Sequence, residues 1–204
     1  MNSSFSTSLP TLQLAWDSSS LSPLKTCARK YYYEIVCGIT PRTRNFHLTF
    51  GILYTEALER YDRYRATKIP HDEALKMTLH KAMKDSWDYE LNRPWISFNT
   101  YKNRYTLLRT IVWYLDEFKE DNFETLILRG EVPAVELSFR FDPGITLLNE
   151  PITICGHMDK LGIIAGQIWV ADHKTTYHPL DDKYFSQFSP NNQMSLYAFA
   201  AKVI

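Results

Sequence analysis

The chain has 204 residues, 45% of them apolar and 14% aromatic, which is ample for a real core and argues against disorder. Its 23 basic side chains balance 23 acidic ones, so no global positive field advertises a nucleic-acid partner, although a metal can supply positive charge where a phosphate sits. Cys27, Cys37 and Cys155 show no paired spacing and no neighbouring His cluster, which suits a reducing cytosol and argues against zinc ligation. No apolar stretch approaches a membrane span, and the Ser/Thr-rich start lacks the basic and apolar regions of a signal peptide. A soluble intracellular protein is expected, of one domain or one domain with a helical insertion.

Residues 1–20 are polar and are expected to be flexible. Ser22-Pro23 predicts a helix start, N-cap then Pro, for a helix that carries Cys27-Ala-Arg-Lys-Tyr-Tyr-Tyr and stops before Gly38. Arg29 and Lys30 beside tyrosines can hold a phosphate backbone and stacked bases, or they can be the solvated face of a helix whose tyrosines pack inward. From His47 to about Lys68, Phe50, Leu53, Tyr54, Ala57, Leu58 and Tyr61 recur with helical period, and Pro70 ends the run. A third helix is predicted from about Asp72 to Glu90. A fourth follows from about Thr100 to Lys119, with Leu107, Leu108, Ile111, Val112, Leu115 and Phe118 as its buried stripe. The two middle helices carry no catalytic constellation and read as an insertion or cap.

The pattern changes near Phe123. Residues 132–141 alternate as a strand that ends at Asp142-Pro143-Gly144, and Ile152 to Cys155 opens the next strand. Leu161–Ile164 and Ile168–Val170 flank Ala165-Gly166, a hairpin turn that pairs Ile164 with Gln167. In that register Asp159 stands opposite Asp172, with Lys174 on the same face. Opposed Cβ atoms are about 4.5–5.5 Å apart. Two carboxylates that close repel by roughly 1 kcal/mol in water and roughly 4 near a protein surface. A hard divalent cation between them would convert the repulsion into a binding site. The bland alternative is a surface ion pair between Asp159 and Lys174. A polar loop is expected through about Asp182, and Ser189-Pro190 should start a last helix whose Gln193 and Tyr197 share one face. Helices, a small antiparallel sheet and a closing helix predict an α+β or mixed α/β fold.

Five segments in this order resemble the RecB-like branch of the PD-(D/E)XK nucleases, which includes CRISPR-associated and phage exonucleases. They are Cys27-Ala-Arg-Lys-Tyr-Tyr, Phe50-Gly51 with Glu56-Ala-Leu-Glu59, Gly156-His-Met-Asp159, Asp172-His-Lys174 and Gln193-Met-Ser-Leu-Tyr197. The resemblance implies a restriction-endonuclease-like core in residues 124–204, preceded by a helical region with its insertion or cap in residues 21–123. It implies Asp159 and Asp172 as ligands of Mg²⁺ or Mn²⁺, a third oxygen from the His173 backbone carbonyl, and Glu136 as a further ligand candidate. The alternative for Glu136 is a solvent-facing strand glutamate. Lys174 would orient or activate the attacking water or stabilise the phosphate charge. Gln193 and Tyr197 would hold the DNA strand or brace the lysine.

Two departures accompany the resemblance. Relatives place a metal-binding His where this chain has Thr55, so Glu56 or Glu59 is expected to contribute, or a water fills the gap, or catalysis is lost. His47 is expected to be a solvated or capping residue, and His157 to be structural. Relatives also continue beyond the Gln-xxx-Tyr helix, whereas Ile204 comes soon after Tyr197. The chain is therefore expected to be a fragment or a reduced version, its sheet completed by a protein partner or a second copy. Cluster-bearing members use one Cys near Cys27 and three beyond that helix; none follows Cys155, so no iron–sulfur cluster is expected from this chain.

The expected activity is a metal-dependent deoxyribonuclease, an exonuclease or a cutter of single-stranded or flapped ends. Its expected setting is repair, recombination, phage or CRISPR-related processing in the cytoplasm of a prokaryotic or phage-infected cell. The alternatives are a catalytically impaired DNA-binding or partner-binding relative and, third, a hydrolase of small phosphorylated substrates.

Overall fold

The computed structural model describes residues 4–41, 45–176 and 178–203. In chain order the elements are β1 (Ala15–Trp16), α1 (Ser18–Thr26), α2 (Ala28–Tyr31), a π-helical turn (Tyr32–Val36), α3 (Phe46–Ala66), α4 (His71–Asp85), β2 (Trp87–Asp88), β3 (Arg93–Pro94) and α5 (Arg104–Glu117). There follow β4 (Glu124–Thr125), β5 (Ile127–Leu128), β6 (Val132–Pro133), β7 (Val135–Phe141), β8 (Thr146–Leu147), β9 (Glu150–Pro151), β10 (Thr153–Ile164), β11 (Gln167–Ala171), α6 (Asp182–Ser186) and α7 (Asn192–Val203). This is the α+β composition that the sequence predicts. Among the described residues no helix is long and apolar enough to cross a membrane.

The chain divides into two compact units. The first comprises Met1–Arg42, Leu137–Met158 and Pro179–Ile204, and the second comprises Thr43–Glu136 and Asp159–His178. The sequence-based boundary at 123/124 falls inside the second unit.

In the first unit, β1 runs parallel to the start of β10, Ala15 beside Thr153. On the other edge β7 is antiparallel, from Ile154–Phe141 to Met158–Leu137. Phe139 and Phe141 share one face of β7 by strand alternation and meet α7: Phe139 is edge-on to Tyr197 and Phe141 lies 4.8 Å from the Phe199 ring. Gly156 makes room for this, because a Cβ there would come within 2.6 Å of the Phe139 ring. Within residues 1–20, Phe5 bridges Gln13 and Ser6 is buried. The first helix begins at Ser18, not Ser22. Asp17 caps it, its carboxylate accepting from the Ser20 N–H, while the Asp17 N–H reaches back to the Ser20 hydroxyl. A carboxylate with a reciprocal partner outcompetes the Ser22 hydroxyl as a start, so Pro23 lies inside the helix. The last helix likewise starts at Asn192, two residues after Pro190, and α6 occupies part of the expected loop.

The second unit rests on α3, α4 and α5. Phe50, Tyr54, Ala57, Leu58 and Tyr61 form the buried stripe of α3, against Ala74 and Ala82 of α4 and Leu107, Ile111 and Leu115 of α5. Each fully buried leucine or isoleucine contributes roughly 1.5–3 kcal/mol of transfer free energy. The third helix ends at Asp85, with Ser86 capping it and Trp87–Asp88 turning into a short strand, so the predicted extension to Glu90 does not form. Phe118, expected in the core, is the C-cap of α5 and is half exposed. Above the helices, β10 pairs with β11 from Lys160–Ala171 to Ile164–Gln167, as predicted, and with β4 at Gly162–Thr125. Ala165 and Gly166 both adopt positive φ (50° and 77°), the conformation that a two-residue hairpin matching strand twist requires.

Candidate functional site

The pairing of β10 places three acidic residues side by side in the second unit. Continued one residue past the Lys160–Ala171 pair, the same register sets Asp159 opposite Asp172. One step beyond Met158–Leu137, Asp159 meets Glu136 on its other side. Asp159 is thus the middle of a row contributed by three successive segments of backbone. Glu136 has φ +54°, a left-handed conformation inside a strand that costs on the order of 1–3 kcal/mol for a residue with a Cβ. The neighbouring Val135 carbonyl is held from outside the sheet by Arg63 at 2.8 Å.

Glu59 of α3 completes the cluster. Burial pushes its carboxyl up to about 7, and the charge of Glu136, a hydrogen bond with Glu136 and the charge of Asp159 add to the rise, while Arg63 opposes it. Thr55 precedes Glu59 by one helical turn and shares its face. Glu56 belongs elsewhere: it pairs with Arg60 at 3.3 Å. Of the two glutamates offered by the sequence without preference, the structure brings Glu59 to the acids, and its spacing of one helical turn from Thr55 is what distinguishes it from Glu56.

Each aspartate already has a donor. Asp159 Oδ2 accepts from the His173 backbone N–H at 2.8 Å. Asp172, only 6% exposed, receives the Lys174 ammonium on both oxygens, at 2.9 Å (Oδ1) and 2.7 Å (Oδ2). Burial raises the Asp172 carboxyl, the lysine's hydrogen bond and charge oppose the rise, and Asp159 adds to it. The His173 ring turns away from the aspartates' hydrogen bonds toward Tyr114, whose hydroxyl is 3.1 Å from Nε2, while Nδ1 lies 3.8 Å from Asp159 Oδ2. Burial lowers the His173 imidazole despite the nearby Asp159, so the ring is neutral near pH 7. On its far side His173 lines a cavity of about 520 Å³, with Tyr61, Tyr114, Phe123 and the buried Lys160–Asp62 ion pair (2.7 Å).

Among the described residues, no three acidic, imidazole or thiol groups converge as a ready cage for an ion. The donor set nevertheless suits one. Glu136 and Asp159 help burial raise Glu59 to about 7, and Asp159 helps raise Asp172, so negative charge is crowded along the row, which an oxygen-seeking divalent cation would relieve.

Of the remaining sequence-predicted residues, Gln193, Tyr197, Arg29, Lys30 and His157 lie in the first unit and His47 in the second. Gln193 Nε2 donates to the Tyr197 hydroxyl at 2.7 Å, and Tyr197 is 6% exposed. On α2, Arg29 sits 5.8 Å over the Tyr33 ring and Lys30 pairs with Glu34 at 3.9 Å, both on the exposed side, while Tyr31 is buried and donates to Gln13. His157 bonds the Ser138 hydroxyl, and the helix cap near His47 is supplied by Asn45.

A row of acids across adjacent strands, with a lysine two residues beyond the last of them, offers oxygen ligands for a divalent cation and an ammonium beside them. Residues 16–204 match the family model of the PD-(D/E)XK nuclease superfamily, and the chain belongs to that superfamily. No curated protein and no solved structure matches it.

Proposed function

We propose that this protein is a metal-dependent DNA nuclease of the RecB-like branch, an exonuclease or a cutter of single-stranded or flapped ends. The observation that carries the reading is the row Glu136, Asp159, Asp172, with Lys174 fixed on Asp172. Mg²⁺ or Mn²⁺, when bound, supplies Lewis acidity and makes a water acidic enough to be a nucleophile at neutral pH. Asp159, Asp172, Glu136 and the His173 carbonyl are the oxygens that would hold it, with Glu59 added from α3. Lys174 is the group that stabilises negative charge on the phosphate or orients the water, and Asp172 aims it. An ammonium so placed acts on charge that develops only during the reaction, which is where electrostatic stabilisation accelerates it. His173, neutral and tied to Tyr114, fixes the backbone N–H that orients Asp159. Arg29 and Lys30, on the exposed side of α2, contribute to holding the strand, Gln193 is tied to the buried Tyr197, and the catalytic groups come mainly from residues 124–204.

The test is cleavage of 5′- and 3′-labelled single- and double-stranded DNA with Mg²⁺ or Mn²⁺. Activity that survives Asp172→Ala or Lys174→Ala unchanged, or no activity at all, rejects the proposal. Thr55 in place of an imidazole, together with aspartates already satisfied by His173 and Lys174, supports a second reading, a DNA-binding relative with impaired catalysis. It predicts binding without turnover, and tighter metal binding by calorimetry in Thr55→His; an unchanged affinity there counts against it.

A further inference from the structure

The solvent face of α5 carries a ladder that neither the core nor the acidic row uses. Tyr105, Arg109 and Trp113 follow one another at intervals of four residues, so they lie along one stripe of the helix. The Arg109 guanidinium is sandwiched: its carbon is 5.6 Å from the Tyr105 ring centre and 4.7 Å from that of Trp113. Both rings are largely in water, at 72% and 64% exposure, while Leu107, Ile111 and Leu115 on the opposite side are buried. The fold is thus satisfied by the other face. Just upstream in the same unit, Phe98 and Tyr101 are also exposed. Among the described residues Arg109 makes no ion pair, so its charge is compensated only by the two rings.

We propose that this ladder is a stacking platform for an unpaired single strand of DNA, a reading that rests on the nuclease proposal for the kind of nucleic acid. A guanidinium flanked by two rings is pre-ordered to take a phosphate, and it needs an anion if it is to be covered. The free ring faces accept any base, because every base has a π-face, but a duplex hides those faces in its own stack. A second copy of the chain is a poorer occupant. A two-fold axis through the middle of a three-rung stripe would set Arg109 against its own copy, like charge on like charge. Asp116 and Glu117 on the last turn of α5 repel phosphate and limit the platform to these rungs.

The experiment uses the full chain with EDTA present, so that binding is read without cleavage. Fluorescence anisotropy follows a labelled oligothymidylate and a labelled duplex of equal length, for wild type, Trp113→Ala, Tyr105→Leu and Arg109→Ala. Circular dichroism confirms that these exposed substitutions leave the fold intact. Loss of either ring should weaken single-strand binding about 5- to 100-fold and leave duplex binding within about twofold. Unchanged single-strand affinity overturns the proposal, as does an equal loss on single strand and duplex. Unchanged DNA binding with a lower sedimentation mass in the variants also overturns it, assigning the stripe to a second copy. The nuclease reading fails separately, if wild type binds the single strand through the ladder yet cuts no DNA with either metal.

Discussion

Replacing Glu59 by glutamine tests the crowding of the acidic row directly. In the folded chain the Glu59 carboxyl stands at about 7 against an ordinary 4.5. At about 1.4 kcal/mol for each step of one, full expression of that difference would be about 3.4 kcal/mol. The side chain is only half buried, and solvent screens it, so about 1–2 kcal/mol is expected. The sign follows from the direction. A carboxyl raised on folding leaves stability intact below about pH 4.5 and removes it as pH rises through about 7. Glu59→Gln abolishes that loss. In urea unfolding with EDTA, the variant should match wild type near pH 4.5 and exceed it by about 1–2 kcal/mol at pH 8. Mg²⁺ at pH 8 should stabilise wild type more than the variant, since the ion binds the folded cluster and the variant lacks one charged oxygen. A difference that is the same at both pH values would refute the reasoning, because simple loss of packing does not titrate.

Lys174→Met leaves the buried Asp172 carboxylate without its ammonium and should cost about 1–3 kcal/mol in denaturant melts; cleavage should fall by about 100-fold or more in the labelled-DNA assay. Lys160→Met isolates Asp62, whose side chain is 15% exposed, and should destabilise by about 2–4 kcal/mol. Adding Asp62→Leu should recover most of that, and a double-mutant cycle with no coupling would contradict it. Gly156→Ala drives a Cβ into the Phe139 ring and should lower stability by about 1–3 kcal/mol, read as a lowered melting temperature.

The hairpin was legible because its information is local. Ala165-Gly166 sets the turn, the turn sets the register, and the register alone puts Asp159 opposite Asp172. The three long helices were legible from apolar spacing, with their ends displaced where a cap decided the matter. Asp17 rather than Ser22 starts the first helix, and Ser86 ends the third. Glu136 and Glu59 were named from the sequence as candidates only, because what brings them to Asp159 is tertiary: a left-handed residue in β7 and the packing of α3. The roles of Tyr114 and Lys160, which border His173, carried no sequence signal, since a tyrosine on an amphipathic helix and a lysine in a strand are ordinary.

The left-handed residue at Glu136 also bears on which length changes the chain can absorb. Strand faces alternate with every residue, so one residue added or removed between Val132 and Glu136 would swing that acid to the opposite side of the sheet and take its kinked backbone out of line with Asp159. The connection from Asp142 to Ile152 folds as the β8–β9 hairpin, and its exposed tip at Leu148–Asn149 carries no such constraint, because residues added there leave the Thr146–Pro151 and Leu147–Glu150 pairs in place. Grafted tags or extended loops belong at that tip and not four residues upstream of the acid.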